Sequence, residues 1–367
     1  MPLRLALVSP RYWPLAGDVE MHWLRLIEQF RLADNRVTVV TATWQRGWPK
    51  IVLVREVPVE RLRPAPRGGM SALRYIYALS KWLQSRQHEL DAVLVSSLRY
   101  EAYSAVRTLG NSRIPVVLQA EQAGPSGDVC WQQQARFGGR IARRCRQARR
   151  VIATSRAIEG ELQRAGYEAA RVVTIPRGIP LPPLANATLR EAARESLAGA
   201  NHDLQVGPSQ PVALACGRFV PEQGFVELVK AWRTVAARFP AARLWLVGDG
   251  PQRSLLYQLI GDLDLRQRIS MPGTFAETDE LLEAADLFLH PATVEASTLR
   301  LAEALAAGKP VIASDLPGNR EWLSAGENGV LVSPGDCPAL AAAIVALLAE
   351  PARGIELGAA ARRRIKQ

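Results

Sequence analysis

The sequence predicts an α/β protein of two domains, each built on a mainly parallel sheet. Apolar runs of strand length alternate with helix-period segments along nearly the whole chain, the pattern of stacked β-α-β layers. The 367 residues are enough for two cores of ordinary domain size. Between the two alternating series lies a stiff stretch, Pro176-Arg177-Gly178-Ile179-Pro180-Leu181-Pro182-Pro183, whose four prolines suit an exit from the first domain.

In the first series the apolar runs predict strands over Leu3–Val8, Val37–Thr41, Ala92–Val95, Val116–Leu118, Val151–Thr154 and Val172–Ile175. Helical periodicity fits Val19–Leu32, Ala72–Gln84, Tyr100–Leu109, Trp131–Ala148 and Ile158–Ala165. Residues 184–200 have a helical pattern, and 201–211 form a polar link. The second series predicts strands at Val212–Cys216, Leu244–Val247, Ile269–Met271, Leu287–Leu289, Val311–Ala313 and Val330–Val332. An Ala-rich helical segment, Pro338–Ile365, is broken at Pro351. The predicted boundaries are 1–183 for the first domain, 184–210 for a linker, 211–350 for the second domain and 351–367 for a terminal helix.

Composition narrows the class. A hydrophobic content of 48% with 22% charged residues excludes a disordered chain. No apolar run approaches a membrane span, and Met1-Pro-Leu-Arg4 turns polar too soon for a secretory signal, so a cytoplasmic protein is expected. Cys130, Cys145, Cys216 and Cys337 are scattered without metal-ligand spacing and read as reduced thiols. The net charge of +11 is unevenly placed: residues 1–180 hold 28 Lys+Arg against 14 Asp+Glu, and the rest hold 18 against 21. The basic character therefore belongs to the first domain. Nucleic acid, anionic lipid, a phosphorylated acceptor or a merely soluble surface would each account for it.

The most informative segment is Glu295-Ala296-Ser297-Thr298-Leu299-Arg300-Leu301-Ala302-Glu303. Ser297 or Thr298 is placed to cap a short helix with Leu299, Leu301 and Leu305 on its apolar side, and Gly308 and Pro310 end it. Val311-Ile312-Ala313 then reads as a buried strand. A helix N-terminus attracts phosphate, and flanking carboxylates accept hydrogen bonds from sugar hydroxyls. Two solvated surface glutamates are the plainer alternative for the pair taken alone.

Other motifs follow the same order as a known family. They are Gly217-Arg218 after the Pro211–Cys216 run, Gly248-Asp249-Gly250-Pro251 after Leu244–Val247, Ala285-Asp286 leading to His290-Pro291, and Gly318-Asn319-Arg320-Glu321-Trp322 with Gly329 beyond. With the Glu295–Glu303 spacing and Gly308-Lys309-Pro310-Val311, this half of the chain resembles the nucleotide-binding half of retaining glycosyltransferases of family 4. That resemblance implies the GT-B fold: two Rossmann-like domains facing across a cleft, with a C-terminal helix crossing back to the first. It implies transfer of a sugar from a nucleotide-diphosphate sugar to a glycan or lipid-linked acceptor hydroxyl. By the same resemblance Arg218 grips the donor diphosphate, Glu303 takes the ribose hydroxyls, and Glu295 touches the transferred sugar. The N–H groups of Thr298 and Leu299 meet phosphate, and Gly17 and Gly248 let backbone approach the donor.

The chain departs from the family's pattern in four places. Gln223, in Glu222-Gln223-Gly224, stands where the family has a Lys, which removes a charge near the leaving diphosphate; Arg300 or Lys309 is a candidate replacement. Asp18 replaces a second glycine after Gly17 and is better read as the cap of the next helix. Glycines usual after Glu295 are absent. The loop Leu118-Gln119-Ala120-Glu121-Gln122-Ala123-Gly124 lacks a His common among relatives, leaving Glu121 as a candidate catalytic helper. No Asp-x-Asp site stands in place, so no metal or other cofactor is expected.

Seven arginines and no acid occupy residues 136–150, and Arg136, Arg140, Arg143 and Arg150 can share a helix face, with Arg144 beside them. This basic patch suits an acceptor or an anionic membrane, giving a peripheral location on its inner face; a solvated basic helix is the alternative. Nucleic acid is not expected, because no aromatic residues interleave the basic run. Two rival functions remain beside the transferase: a donor-binding but catalytically silent homologue, and a sugar-nucleotide epimerase of the same architecture.

Overall fold

The structure is a computed structural model that describes residues 2–366 apart from 16, 185, 276 and 296, and the backbone but not the side chain of Asp18. The chain divides between Gly178 and Ile179 into two compact units, each with one sheet.

The first unit holds β1 (Arg4–Ser9), β2 (Arg36–Ala42), β3 (Ile51–Val54), β4 (Val57–Leu62), β5 (Ala92–Ser96), β6 (Val116–Ala120), β7 (Arg150–Ala153) and β8 (Val172–Thr174). They lie in the order β3-β4-β2-β1-β5-β6-β7-β8, parallel throughout except for the β3–β4 pair. Successive residues of β1 serve opposite faces, as pleating requires: Ala6 and Val8 join one core and Leu7 the other. The helix Asp18–Leu32 covers the Leu7 side through Trp23 and Ile27. Helices Gly69–Arg86, Tyr100–Leu109, Gly138–Cys145 and Arg156–Arg164 cover the other side through Tyr75, Leu79, Ala105, Ile141 and Leu162. The β1-to-β2 crossover and the crossovers from β4 and β5 run in opposite directions across the sheet, so right-handed connections put their helices on opposite faces.

The second unit holds β9 (Val212–Cys216), β10 (Arg243–Val247), β11 (Ile269–Gly273), β12 (Leu287–His290), β13 (Val311–Ser314) and β14 (Val330–Val332). Their order is β11-β10-β9-β12-β13-β14, all parallel, with Ala213 facing Leu244 on one side and Leu287 on the other. β9 and β12 are buried along their whole length, as expected of central parallel strands covered on both faces. Both domains are thus the Rossmann-like α/β layers that the sequence predicts.

Local differences have identifiable causes. The β3–β4 hairpin was not expected, because its turn is made by Arg55 and Glu56 at φ 47° and 65° with no glycine to announce it. The expected helix Trp131–Ala148 is two helices, Asp128–Gln134 and Gly138–Cys145. The break lies where a Cβ on Gly138 would stand 1.8 Å from the Gln132 carbonyl oxygen. Arg136 and Arg150 therefore lie outside the short helix that carries Arg140, Arg143 and Arg144, and the four-arginine helix face does not form. Arg136 instead stacks on Phe137, 5.6 Å from its ring centre.

The expected linker 184–210 contains the helix Ala187–Ala200, capped by the Asn186 side chain. Arg190 and Arg194 of that helix both reach Asp286 at 2.8 Å, which ties it into the second unit. The chain breaks at Pro351 as expected, between Cys337–Ala349 and Pro351–Ile365. The terminal helix is held within the second unit, where Arg362 donates to the carbonyls of Ala306 and Pro182. Among the described residues no helix is long and apolar enough to cross a membrane.

Candidate functional site

In the second unit β9 is followed by β10 on one side while β12 lies on its other side, so the chain reverses direction across the sheet between β9 and β12. Ligands of open α/β sheets bind beyond the carboxyl ends of strands at such a point. The loop after β9 carries Gly217 and the exposed Arg218. It is locked to the loop after β10: the Gly217 N–H donates to Val247 O and the Phe219 N–H to Asp249 O. Gly248, at φ 150°, approaches so closely that a Cβ there would lie 1.8 Å from the Gly217 carbonyl oxygen. Gly224, at φ 68°, closes the turn Pro221–Gln223 against the Pro291 carbonyl after β12. Gln223 is half-buried, and its Oε1 would stand 3.1 Å from a Cβ on Gly217, beside the Arg218 loop.

The short helix Leu299–Ala306 starts close to that crevice, between β12 and β13. Of its two expected caps, Ser297 has its Oγ 3.5 Å from the Leu299 N–H, whereas the Thr298 hydroxyl accepts from Trp322 Nε1. Gly308, at φ 71°, ends the helix as expected. Glu295 is half-buried, and its Oε2 accepts from the Gly318 N–H at 3.2 Å. Glu303 is buried, with Oε2 accepting from Arg300 at 2.8 Å and from the Thr278 hydroxyl at 3.0 Å. Thr278 was not foreseen; it lies 25 residues away and no local pattern announces it. The expectation touching Ala296 lies outside the described residues.

The structure also shows where the candidate replacement cations are. Arg300 is the partner of Glu303. Lys309 donates to the carbonyls of Ala285 at 2.8 Å and Glu283 at 3.1 Å, and burial pulls its pKa down to about 8. Lys309 thus serves a helix C-terminus and is not a counter-charge for Gln223.

In the first unit Gly17 has extended backbone, and a Cβ there would meet the Glu20 carboxylate at 2.5 Å. Glu20 is itself paired with Arg11 at 3.0 Å. The proposed capping role of Asp18 concerns a side chain outside the described residues. Glu121 ends a dense buried network: Oε1 accepts from Ser96 at 2.7 Å, Trp23 at 2.9 Å and Gln119 at 3.4 Å. Its Oε2 accepts from Arg177 at 2.8 Å and Gln119 at 3.3 Å. A carboxylate has about four acceptor sites, so these donors occupy both oxygens and fit an anchoring role, not that of a free base. Arg177 also bonds the Glu121 carbonyl, pinning the last residues of the first unit to the end of β6. The sequence showed Arg177 only as part of a Pro-rich exit.

Comparison with known proteins places both halves of the chain. Residues 19–181 match the family described as "Glycosyltransferase Family 4", and residues 210–350 match "Glycosyl transferases group 1". The lipopolysaccharide core biosynthesis glycosyltransferase LpsE of Rhizobium meliloti is 35% identical over 38% of this chain and 40% of that protein. LpsD of the same organism is 34% identical over 49% of this chain and 47% of that protein. The matches thus span less than half the length of these two relatives. The phosphatidyl-myo-inositol mannosyltransferase of Mycolicibacterium smegmatis is 27% identical over 94% of this chain and 85% of its own length. Among solved structures, Anabaena Alr3699/HepE in complex with UDP and glucose superimposes with a TM-score of 0.79. It is 21% identical, over 100% of this chain and 95% of that one, a likeness of fold.

Proposed function

By fold and by both family matches the chain is a member of the GT-B glycosyltransferases, and we propose that it moves a sugar from a nucleotide-diphosphate sugar to an acceptor hydroxyl with retention of configuration. The observation that carries this reading is the convergence of three features at the β9/β12 switch point: the interlocked Gly217-Arg218 loop, the N-terminus of Leu299–Ala306, and the carboxylates of Glu295 and Glu303. Arg218 is the diphosphate clamp, since a guanidinium binds phosphate in two-pronged fashion and stays charged. The Thr298 and Leu299 N–H groups add the positive end of a helix. Glu303 takes ribose hydroxyls, its geometry fixed by Arg300 and Thr278. Glu295 accepts from the hydroxyls of the transferred sugar.

In the proposed step the acceptor oxygen bonds to the anomeric carbon as the bond from that carbon to the diphosphate oxygen breaks. The diphosphate leaves with the electron pair, and one of its oxygens takes the acceptor proton, so no protein base is required. Preorganised charge on the leaving group is the main electrostatic contribution. The relatives named for lipopolysaccharide core and phosphatidyl-myo-inositol chemistry favour polysaccharide or glycolipid synthesis and a glycan or lipid-linked acceptor.

A second reading, a donor-binding homologue without catalysis, draws on Gln223, on Asp18 in place of a second glycine and on the absence of a His from residues 118–124. A thermal-shift screen with UDP-, GDP- and ADP-sugars, followed by donor hydrolysis and transfer assays, tests both. Stabilisation by one nucleotide class with turnover supports the transferase. Stabilisation without turnover favours the silent homologue, and no response to any of the three contradicts the donor site.

A further inference from the structure

β1, β2 and β4 are parallel, so the loops that follow them leave one end of the first-unit sheet. Those loops, residues 10–17, 43–50 and 63–68, hold Trp13, Trp44 and Trp48, three of the nine tryptophans in the chain. Every charged residue in them is Lys or Arg. Elsewhere tryptophan serves as core: Trp23, Trp232 and Trp245 are fully buried. Trp13, by contrast, is 45% exposed, and Trp44 and Trp48 are half-buried. An indole left at the surface forgoes the favourable burial of a large apolar area.

The rings are nonetheless held firmly. Arg61, near the end of β4, has its Cζ 5.1 Å from the ring centre of Trp48 and 5.9 Å from that of Trp13. Its guanidinium donates to the carbonyls of Pro49 at 3.0 Å and Trp13 at 2.9 Å, which ties the loops after β2 and β1 to β4. Trp44 Nε1 donates to the Pro10 carbonyl at 2.7 Å. Arg67 and Arg63, in the loop after β4, donate to the carbonyls of Trp44 at 2.9 Å and Trp48 at 3.4 Å. Arg61 is itself 2% exposed, its Nε has no hydrogen-bond partner, and among the described residues no carboxylate pairs with it. Buried charges are ordinarily paired; this one is held by carbonyls and indole faces, which leaves the loop cluster with an uncompensated positive charge.

We propose that these three loops form an acceptor subsite for a sugar ring carrying an anionic group, a phosphate or a carboxylate, with the C–H face of the ring against the tryptophans and the anion beside Arg63 and Arg67. Calling the ligand an acceptor rests on the transferase reading. A pyranose presents C–H groups on a face and hydroxyls around its edge, which matches indole faces rimmed by hydrogen-bond donors. Guanidinium groups bind phosphate and carboxylate alike in two-pronged fashion, and a cluster of one sign selects against cations. The carboxyl ends of parallel strands are also where α/β sheets bind ligands. Single-stranded nucleic acid takes successive bases on rings arrayed along a groove, whereas Trp13 and Trp48 are gathered about one guanidinium, which suits a short ligand.

Saturation-transfer NMR on the intact protein without nucleotide tests it, with methyl glucoside, methyl glucuronide, glucose 6-phosphate and inorganic phosphate as probes. At least one of the two charged sugars is expected to receive saturation at its ring protons and to bind more tightly than the glucoside; the preferred one names the anion. Trp13→Ala, at an exposed position, is expected to keep the melting temperature and to weaken every sugar by about tenfold, with loss of ring-proton saturation. Arg63→Gln/Arg67→Gln is expected to weaken the charged sugars by about tenfold and to leave the glucoside unchanged. A glucoside bound as tightly as the charged sugars, inorganic phosphate bound as tightly as glucose 6-phosphate, or affinities unchanged in both variants overturns the proposal. So does tighter binding of an oligothymidylate that Trp13→Ala abolishes. Charged-sugar binding in a protein that binds no nucleotide would support the subsite and contradict the transfer reading, so the two fail separately.

Discussion

Replacing Gln223 by lysine places a charge where the donor site lacks one. Gln223 closes the turn Pro221–Gln223, and its amide lies next to Gly217, whose neighbour Arg218 is the proposed diphosphate clamp. Neither nearby cation substitutes for it: Arg300 is paired with Glu303, and Lys309 is bound to the carbonyls of Ala285 and Glu283. A lysine ammonium about 4 Å from a phosphate oxygen gains about 4 kcal/mol at an effective dielectric of about 20. Position 223 is half-buried, so the ammonium loses part of its hydration, which leaves about 1–2 kcal/mol net. Gln223→Lys should therefore tighten nucleotide-diphosphate binding by about tenfold in titration calorimetry. It should also raise donor turnover, because charge builds on the leaving diphosphate. Unchanged or weaker binding would refute the reasoning that this space lacks a cation. Tighter binding with turnover still at background would favour the silent-homologue reading.

Breaking the anchor at the end of the first unit should cost stability. Arg177 and Glu121 have side chains only 9 and 7% exposed, so Arg177→Met leaves an uncompensated buried carboxylate and is expected to lower stability by about 3–5 kcal/mol; a loss below about 1 kcal/mol in urea unfolding would contradict the buried pair. Glu101 supplies a pH dependence. Its burial, first of all, raises its pKa to about 7, against about 4.3 in an unfolded chain. The folded state therefore keeps the proton longer, so the stability associated with Glu101 is fully present below about pH 4 and declines until about pH 7, by about 1.4 kcal/mol per unit. Glu101→Gln should flatten that decline and look more favourable against the parent at pH 8 than at pH 5. Parallel stability–pH curves for the two proteins would rule it out.

The parts of this fold that were legible in the sequence are those written locally. Val212–Cys216 and Val311–Ala313 are unbroken apolar runs because parallel strands are covered on both faces. The end of helix Leu299–Ala306 was readable because glycine is the residue that takes a φ of 71°, found at Gly308, at least cost. What was not legible depended on distant partners or unusual backbone. Arg55 and Glu56 turn a hairpin in a conformation that their residue types do not signal. The expected helix breaks at Ala135, whose backbone turns extended at ψ 138°, and residue 138 then passes so close to the Gln132 carbonyl that there is no room for a Cβ. Arg177 reaches Glu121 across 56 residues, and Thr278 reaches Glu303 across 25, so the anchor and the support of the donor carboxylate emerge only from the folded chain.

The central claim, that the second unit grips a nucleotide diphosphate through the loop after β9 and the helix after β12, is tested most directly by calorimetry of UDP, GDP and ADP binding to the intact protein and to Arg218→Ala and Glu303→Gln. Arg218 is exposed, so its loss removes a ligand contact without disturbing the core. The account predicts that the nucleotide bound by the intact protein is held more weakly by each variant, by about 1.5–3 kcal/mol for a lost charged hydrogen bond. Unchanged affinity in both variants would contradict it.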